Sequence, residues 1–202
     1  MGPHAHTLVY LIGAPGAGKS TLMQALVAKC STYRGLRPFG YTLLACPDHS
    51  EAIMLGVARE GGFSGTDALS MSVQPKVEDW MRTAHYELVL GEGDRLGNVK
   101  FLSAMLNLNW RVNVAHLVAS PDLLDIRCAE RGSNQSATWR SGRATKVRRV
   151  GEWAATNAHG YLPLDAAAPA WVNAMRMVRR WSPLLRLNVH NNPPLLPLPE
   201  ET

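Results

Sequence analysis

Gly13-Ala14-Pro15-Gly16-Ala17-Gly18-Lys19-Ser20, followed by Thr21, is the stretch on which the fold turns. It satisfies G-x-x-x-x-G-K-[ST] in full, and its flanks have the required character. Thr7–Ile12 (TLVYLI) is a short apolar run with β-branched and aromatic members, expected to be a buried parallel strand. Beyond the motif, Leu22, Ala25 and Leu26 recur at helical spacing through Lys19–Cys30. A strand, a glycine-rich loop and a helix in that order aim backbone amides and the positive helix end at one point, where they suit a phosphate. The expected ligand is a nucleoside triphosphate, ATP with Mg²⁺, cradled by Gly13, Ala14, Pro15, Gly16, Ala17, Gly18, Lys19, Ser20 and Thr21. Lys19 would bridge the β- and γ-phosphates, and the Ser20 hydroxyl would ligate the metal.

Working outward, Gly40–Cys46 and Ala52–Val57 are strand-like runs separated by Pro47-Asp48-His49-Ser50, which predicts a hairpin. Gly61–Asp67 is too glycine-rich for regular structure and reads as a loop. Val77–Ala84 suits a helix with Pro75 near its start, Glu87–Leu90 a second buried strand, Asn98–Leu108 a helix, and Val112–Val118 a third buried strand. Ser120-Pro121-Asp122 opens another helix with a cap and a proline. Tyr161–Leu164 and Pro169–Trp181 are expected to be a last strand and a last helix. Alternation of this kind indicates an α/β domain, a mostly parallel sheet covered by helices on both faces. The domain is expected to span 1–190, with an Arg-rich, mobile lid at 131–149 and a Pro-rich tail at 191–202.

With 46% hydrophobic and 18% charged residues the chain has the composition of a soluble protein. Its three cysteines, Cys30, Cys46 and Cys128, are odd in number and lack CxxC spacing, which suggests inert, reduced thiols and a cytoplasmic location. The apolar runs are too short for a membrane span, the first strand follows too closely for a signal peptide, and the histidines have no zinc-type spacing with the cysteines. Charge is uneven: residues 1–126 carry 10 Lys and Arg against 11 Asp and Glu, while residues 127–186 carry 11 against 3. The basic segment fits a phosphate-binding lid or a polyanionic substrate such as DNA.

The candidate chemistry follows from these elements. An acid at the end of Leu88-Val89-Leu90-Gly91-Glu92 would lie beside the phosphate loop, so Glu92 is expected in the metal shell. Asp94 and Arg95 behind it are expected to contact substrate. A hydroxyl acceptor needs a carboxylate near its proton, and Asp67 or Asp48 could serve, with Asp67 in its glycine-rich loop the choice. Arg127 and Arg131 share a helical face; Arg127 is assigned to the nucleotide, while Arg131 and Arg143 would close over the developing charge. Trp139, among polar neighbours, and Lys146 are further substrate candidates, whereas Trp153, Trp171 and Trp181 are expected in the core.

Val114–Val118 with the Ser120-Pro121-Asp122 helix start and Arg127 and Arg131 resembles small P-loop kinases of nucleosides, nucleotides and polynucleotide ends. Phe63–Met71 (FSGTDALSM), Leu88–Leu96 (LVLGEGDRL) and Gln135–Lys146 (QSATWRSGRATK) together resemble phage-encoded P-loop kinases of the thymidine hypermodification pathway. That resemblance implies transfer of a phosphoryl group from ATP to the hydroxymethyl group of 5-hydroxymethyluracil bases in DNA. Deoxynucleoside monophosphate kinase, polynucleotide 5′-hydroxyl kinase and a non-catalytic nucleotide-binding module remain as alternatives. The GTPase pattern N-K-x-D is absent.

Overall fold

The computed structural model describes residues 6–46, 49–59, 62–63, 65–130, 132, 136–181 and 185. Asp48, Arg131 and the 191–202 tail, all singled out above, lie outside the described residues.

Among the described residues nine strands and six α-helices follow one another. Strand β1 (Thr7–Gly13) leads through the glycine loop into α1 (Lys19–Val27), and then come β2 (Ser31–Gly35), β3 (Tyr41–Cys46) and β4 (His49–Leu55). The two-residue strands β5 (Ala58–Arg59) and β6 (Gly62–Phe63) pair with each other, and a 3-10 turn at Gly65–Ala68 leads to α2 (Val73–Thr83). Next are β7 (Leu88–Glu92), α3 (Val99–Asn107), β8 (Arg111–Val118), α4 (Pro121–Glu130), α5 (Ala137–Asn157), β9 (Gly160–Asp165) and α6 (Ala170–Trp181).

Seven strands form one sheet in the order β2-β3-β4-β7-β1-β8-β9. From β4 to β9 neighbouring strands are parallel, and β2, β3 and β4 pair antiparallel. The hairpin expected around 47–50 is therefore part of the sheet itself, because β4 pairs with β7 through Ala52, Ile53 and Met54. All seven residues of β1 are buried, as an apolar strand covered on both faces must be.

The two faces carry separate cores. Leu22, Met23 and Leu26 of α1 pack with Ala174, Met177 and Trp181 of α6 on one side. Val77 and Met81 of α2, Phe101 and Met105 of α3, and Val147, Val150 and Ala154 of α5 cover the other. Trp181 is core as expected, and Trp153 packs partly buried against the α5 side.

Two expectations need correction. Most of the stretch read as a mobile lid is α-helical, since α5 runs unbroken from Ala137 to Asn157, with the Ser136 hydroxyl accepting from the Trp139 amide at 3.2 Å. The cysteines are not all reduced thiols: Cys30 and Cys46 form a disulfide, and only Cys128 is free. The basic segment 127–186 lies on both faces of the sheet, α5 packing on one side and α6, with exposed Arg176, Arg179 and Arg180, on the other. Among the described residues no helix is long and apolar enough to cross a membrane.

Candidate active site

The site is built where β1 ends. Gly16 and Gly18 have φ of 85° and 92°, the left-handed region in which a side chain is strained. Helix α4 lies across the loop: a Cβ on Gly16 would stand 3.2 Å from Cys128 Sγ and 3.4 Å from the Leu124 carbonyl oxygen. Gly18 caps α1 without a side chain, so no cap competes for the first helical amides, the groups that bind an anion at such a terminus. Lys19 folds back along the loop, its Nζ donating to the carbonyls of Gly13 at 2.8 Å and Ala14 at 3.3 Å.

Sheet register brings the acid to this loop. Leu11 pairs with Glu92, so the end of β7 lies alongside the start of the loop. Ser20 Oγ donates to Glu92 Oε1 at 2.8 Å. Glu92 is only 3% exposed, and burial raises its carboxyl above the ordinary glutamate range, opposed by the Lys19 charge and the Ser20 hydrogen bond. A hydroxyl beside a carboxylate whose negative charge is poorly solvated is a hard-oxygen pair that suits Mg²⁺, with nucleotide phosphates supplying further ligands.

Asp67 sits on the 3-10 turn, brought against Glu92 by two glycines. A Cβ on Gly65 would lie 2.5 Å from Glu92 Oε1, and one on Gly56 would lie 2.1 Å from the Gly65 carbonyl oxygen. Asp67 Oδ1 accepts from the backbone amides of Asp94 at 2.7 Å and Arg95 at 3.0 Å, while Arg95 Nη2 donates to the Asp67 carbonyl at 3.2 Å. The carboxylate thus caps the loop after β7 with one oxygen.

Helix α5 supplies cations above this loop. Arg143 pairs with Asp94 at 3.1 Å, and its guanidinium carbon lies 4.9 Å from the centre of the Trp139 ring. Lys146 Nζ donates to the Asp94 carbonyl at 2.6 Å. Burial pulls the Lys146 ammonium below the usual lysine range, with Asp94 opposing and Arg143 reinforcing the shift. Trp139 is 37% exposed.

Arg127 stands on the other side of the loop and donates to the carbonyls of Ala17 at 3.4 Å and Ala166 at 3.1 Å. It walls a cleft of about 370 Å³ bounded by Gly18, Thr21, Asn173 and the segment Ala166–Pro169, a volume that accommodates a nucleobase next to the phosphate loop.

Of the residues singled out in the sequence, Lys19, Ser20, Asp67, Glu92, Asp94, Arg95, Arg143 and Lys146 converge at one end of the sheet, with Trp139 touching the group through Arg143. Sequence reasoning missed Tyr10 and Thr66. Both are fully buried beside the Asp67 loop, and Tyr10 is indistinguishable in the sequence from any other apolar residue of β1.

A glycine loop of this form, facing a buried acid and lying beneath cationic side chains, is the working end of P-loop phosphotransferases. Residues 4–163 match the model of the family described as P-loop Nucleotide Kinase3, and the chain belongs to that family. Among solved structures, an unliganded sugar kinase from Janibacter sp. HTCC2649 is similar over 89% of this chain and 98% of its own, at 11% identity and a TM-score of 0.52. A putative kinase from Chloroflexus aurantiacus J-10-fl is similar over 89% of this chain and 97% of its own, at 16% identity and a TM-score of 0.50. At these identities the likeness concerns the fold. No curated protein matches the sequence.

Proposed function

We propose that the protein transfers the γ-phosphoryl group of MgATP to the hydroxymethyl group of 5-hydroxymethyluracil bases in DNA. Lys19 and the amides of residues 13–21 hold the phosphates, Ser20 and Glu92 hold the Mg²⁺ that offsets phosphate charge, and Arg127 borders the nucleobase. The acceptor oxygen attacks the γ-phosphorus in line as the bond to the β–γ bridging oxygen breaks and ADP leaves. The hydroxyl proton passes to Asp67 Oδ2. Arg143, released from Asp94, and Arg131 neutralise the transferring group, while Asp94, Arg95 and Lys146 border the acceptor.

The observation that carries a DNA acceptor is the exposed Trp139 stacked with Arg143 beside the acidic loop. An accessible aromatic ring among cations is a platform for an unpaired or flipped base. The family description favours a second reading, phosphorylation of a free nucleotide or nucleoside at the same site. Radiolabelled ATP offered with hydroxymethyluracil DNA, matching thymine DNA, 5′-hydroxyl DNA ends and free nucleotides separates them. Label in hydroxymethyluracil DNA alone supports the first reading, and label only in a free nucleotide replaces it with the second.

A further inference from the structure

Tyr10 lies in the middle of β1, fully buried, three residues before the glycine loop, and no step above uses it. Its hydroxyl donates to the Gly93 carbonyl at 2.9 Å, and it also meets Thr66 Oγ1 at 3.0 Å. Since the phenol proton is committed to Gly93, the Thr66 hydroxyl donates to the phenol oxygen. The peptide group whose oxygen accepts from Tyr10 carries the Asp94 N–H at its other end, and that N–H donates to Asp67 Oδ1 at 2.7 Å. Thr66 and Asp67 are consecutive, so the bonds close a ring: Thr66 hydroxyl to Tyr10 hydroxyl, to the Gly93–Asp94 peptide, to the Asp67 carboxylate, and back along the chain to Thr66.

We infer that Tyr10 is a positioning residue for phosphoryl transfer, locking the Asp67 carboxylate in register with the phosphate loop through the Gly93–Asp94 peptide. The strand that carries the glycine loop is thereby also the strand that sets the acceptor carboxylate. Donors in such a chain polarise one another, so removing one hydroxyl loosens the whole ring. The space around Tyr10 is closed on both sides: a Cβ on Gly91 would meet its ring at 2.6 Å and one on Gly97 at 3.2 Å, and Phe101 packs edge-on with centroids 6.2 Å apart. A ring without its hydroxyl therefore stays in place while the loop loses its anchor.

The inference rests on the role given to Asp67 above, and the test separates the two. Turnover of the acceptor and KM for MgATP are measured for Tyr10→Phe, Asp67→Asn and the double variant. Tyr10→Phe is expected to lower kcat about tenfold, with the MgATP KM within about twofold of the parent, and to add almost nothing in the Asp67→Asn background. Losses that multiply in the double variant, or an unchanged kcat in Tyr10→Phe while Asp67→Asn is crippled, overturn the positioning role alone. Full activity of Asp67→Asn overturns both. If Tyr10→Phe does not fold, Thr66→Val removes the donor at the other end of the ring without changing side-chain shape, and the same cycle with Asp67→Asn decides the matter.

Discussion

Ser20 and Glu92 are 72 positions apart in the sequence, and the hydroxyl of one donates to the carboxylate of the other at 2.8 Å. The register of β1 against β7 makes that contact, which couples the first turn of α1 to the end of the neighbouring strand. The carboxylate is held there at a cost, because burial disfavours its charged form.

A pH dependence follows with a definite sign. The folded protein keeps the Glu92 proton to a higher pH than the unfolded chain, so this group's contribution to stability is present below the unfolded value and lost as pH rises through the folded one. Glu92→Gln cannot ionise. In magnesium-free buffer its melting temperature is expected to exceed the parent's by a margin that widens from about pH 4 to about pH 8, while magnesium-dependent ATP binding is lost. A margin that is flat or shrinks with pH contradicts the assignment of a raised carboxyl.

Lys19→Ala removes the cation that would follow the γ-phosphoryl group. A fall in kcat of about 10²-fold or more is expected, with the fold intact by circular dichroism. Near-normal turnover would place the chemistry elsewhere.

Asp67 caps the loop after β7 and is proposed to take the acceptor proton, and two substitutions divide these roles. Asn keeps an oxygen for the amides of Asp94 and Arg95 but loses the charge, whereas Ala loses both. Asp67→Asn is expected to bind ATP and melt like the parent but to transfer poorly, and Asp67→Ala to be less stable as well, by about 1 kcal/mol. If Asn is active and only Ala is impaired, the side chain serves the loop and not the acceptor.

Trp139→Ala is expected to raise the KM for an acceptor DNA about tenfold, the order of one lost base-stacking contact, and to leave the KM for ATP unchanged. Quenching of tryptophan fluorescence by DNA that is present in the parent and lost in Trp139→Ala gives an independent reading, since the other five tryptophans are common to both.

The two basic faces make different predictions. Arg148 on α5 lines a cleft with Ala14 and Pro15 of the glycine loop and Arg149 follows it, whereas Arg179 and Arg180 are on α6, which packs on the other face of the sheet. Arg148 pairs with Glu152 one turn away, both exposed, so that contact restrains it little. Reversing Arg148 and Arg149 to Glu should weaken DNA binding and flatten its salt dependence by about 0.9 logarithmic units per lost phosphate contact, while reversal at Arg179 and Arg180 should change neither. Equal effects from both pairs would mean that binding follows net charge and not a surface.

Much of this was readable because phosphate chemistry demands particular residues at fixed spacing. Gly13–Ser20 needs glycines for backbone reach and a lysine for charge, so strand, loop and helix announce themselves together. Glu92 was legible for a similar reason, as an acid closing an apolar run. The rest depended on contacts between distant segments. Strand β2 (STYRG) is mostly exposed and has no alternating pattern, so only its pairing with β3 makes it a strand. The N-terminal part of α5 reads as loop because its Ser, Gly, Thr and Arg favour no single face, yet its cap at Ser136 and the burial of Val147 and Val150 hold a helix. Cys30 and Cys46, 16 positions apart, meet because β2 and β3 pair antiparallel with Ser31 opposite Ala45. The capping role of Asp67 and the ring through Tyr10 required knowing which peptide faces which side chain.

The glycines beneath Asp67 bear on how this protein can evolve. At Gly56, Gly65 and Gly93 a single added carbon would press on the Gly65 carbonyl, on Glu92 or on Asp67, and all three have positive φ. At Gly142 in α5 a Cβ would meet nothing within 4 Å, and the helix would gain from it. A randomised library selected for turnover should therefore return glycine at the first three positions and discard it at the fourth. Sequence can then drift through α5, which overhangs the glycine loop, while the floor beneath Asp67 stays unchanged from one descendant to the next.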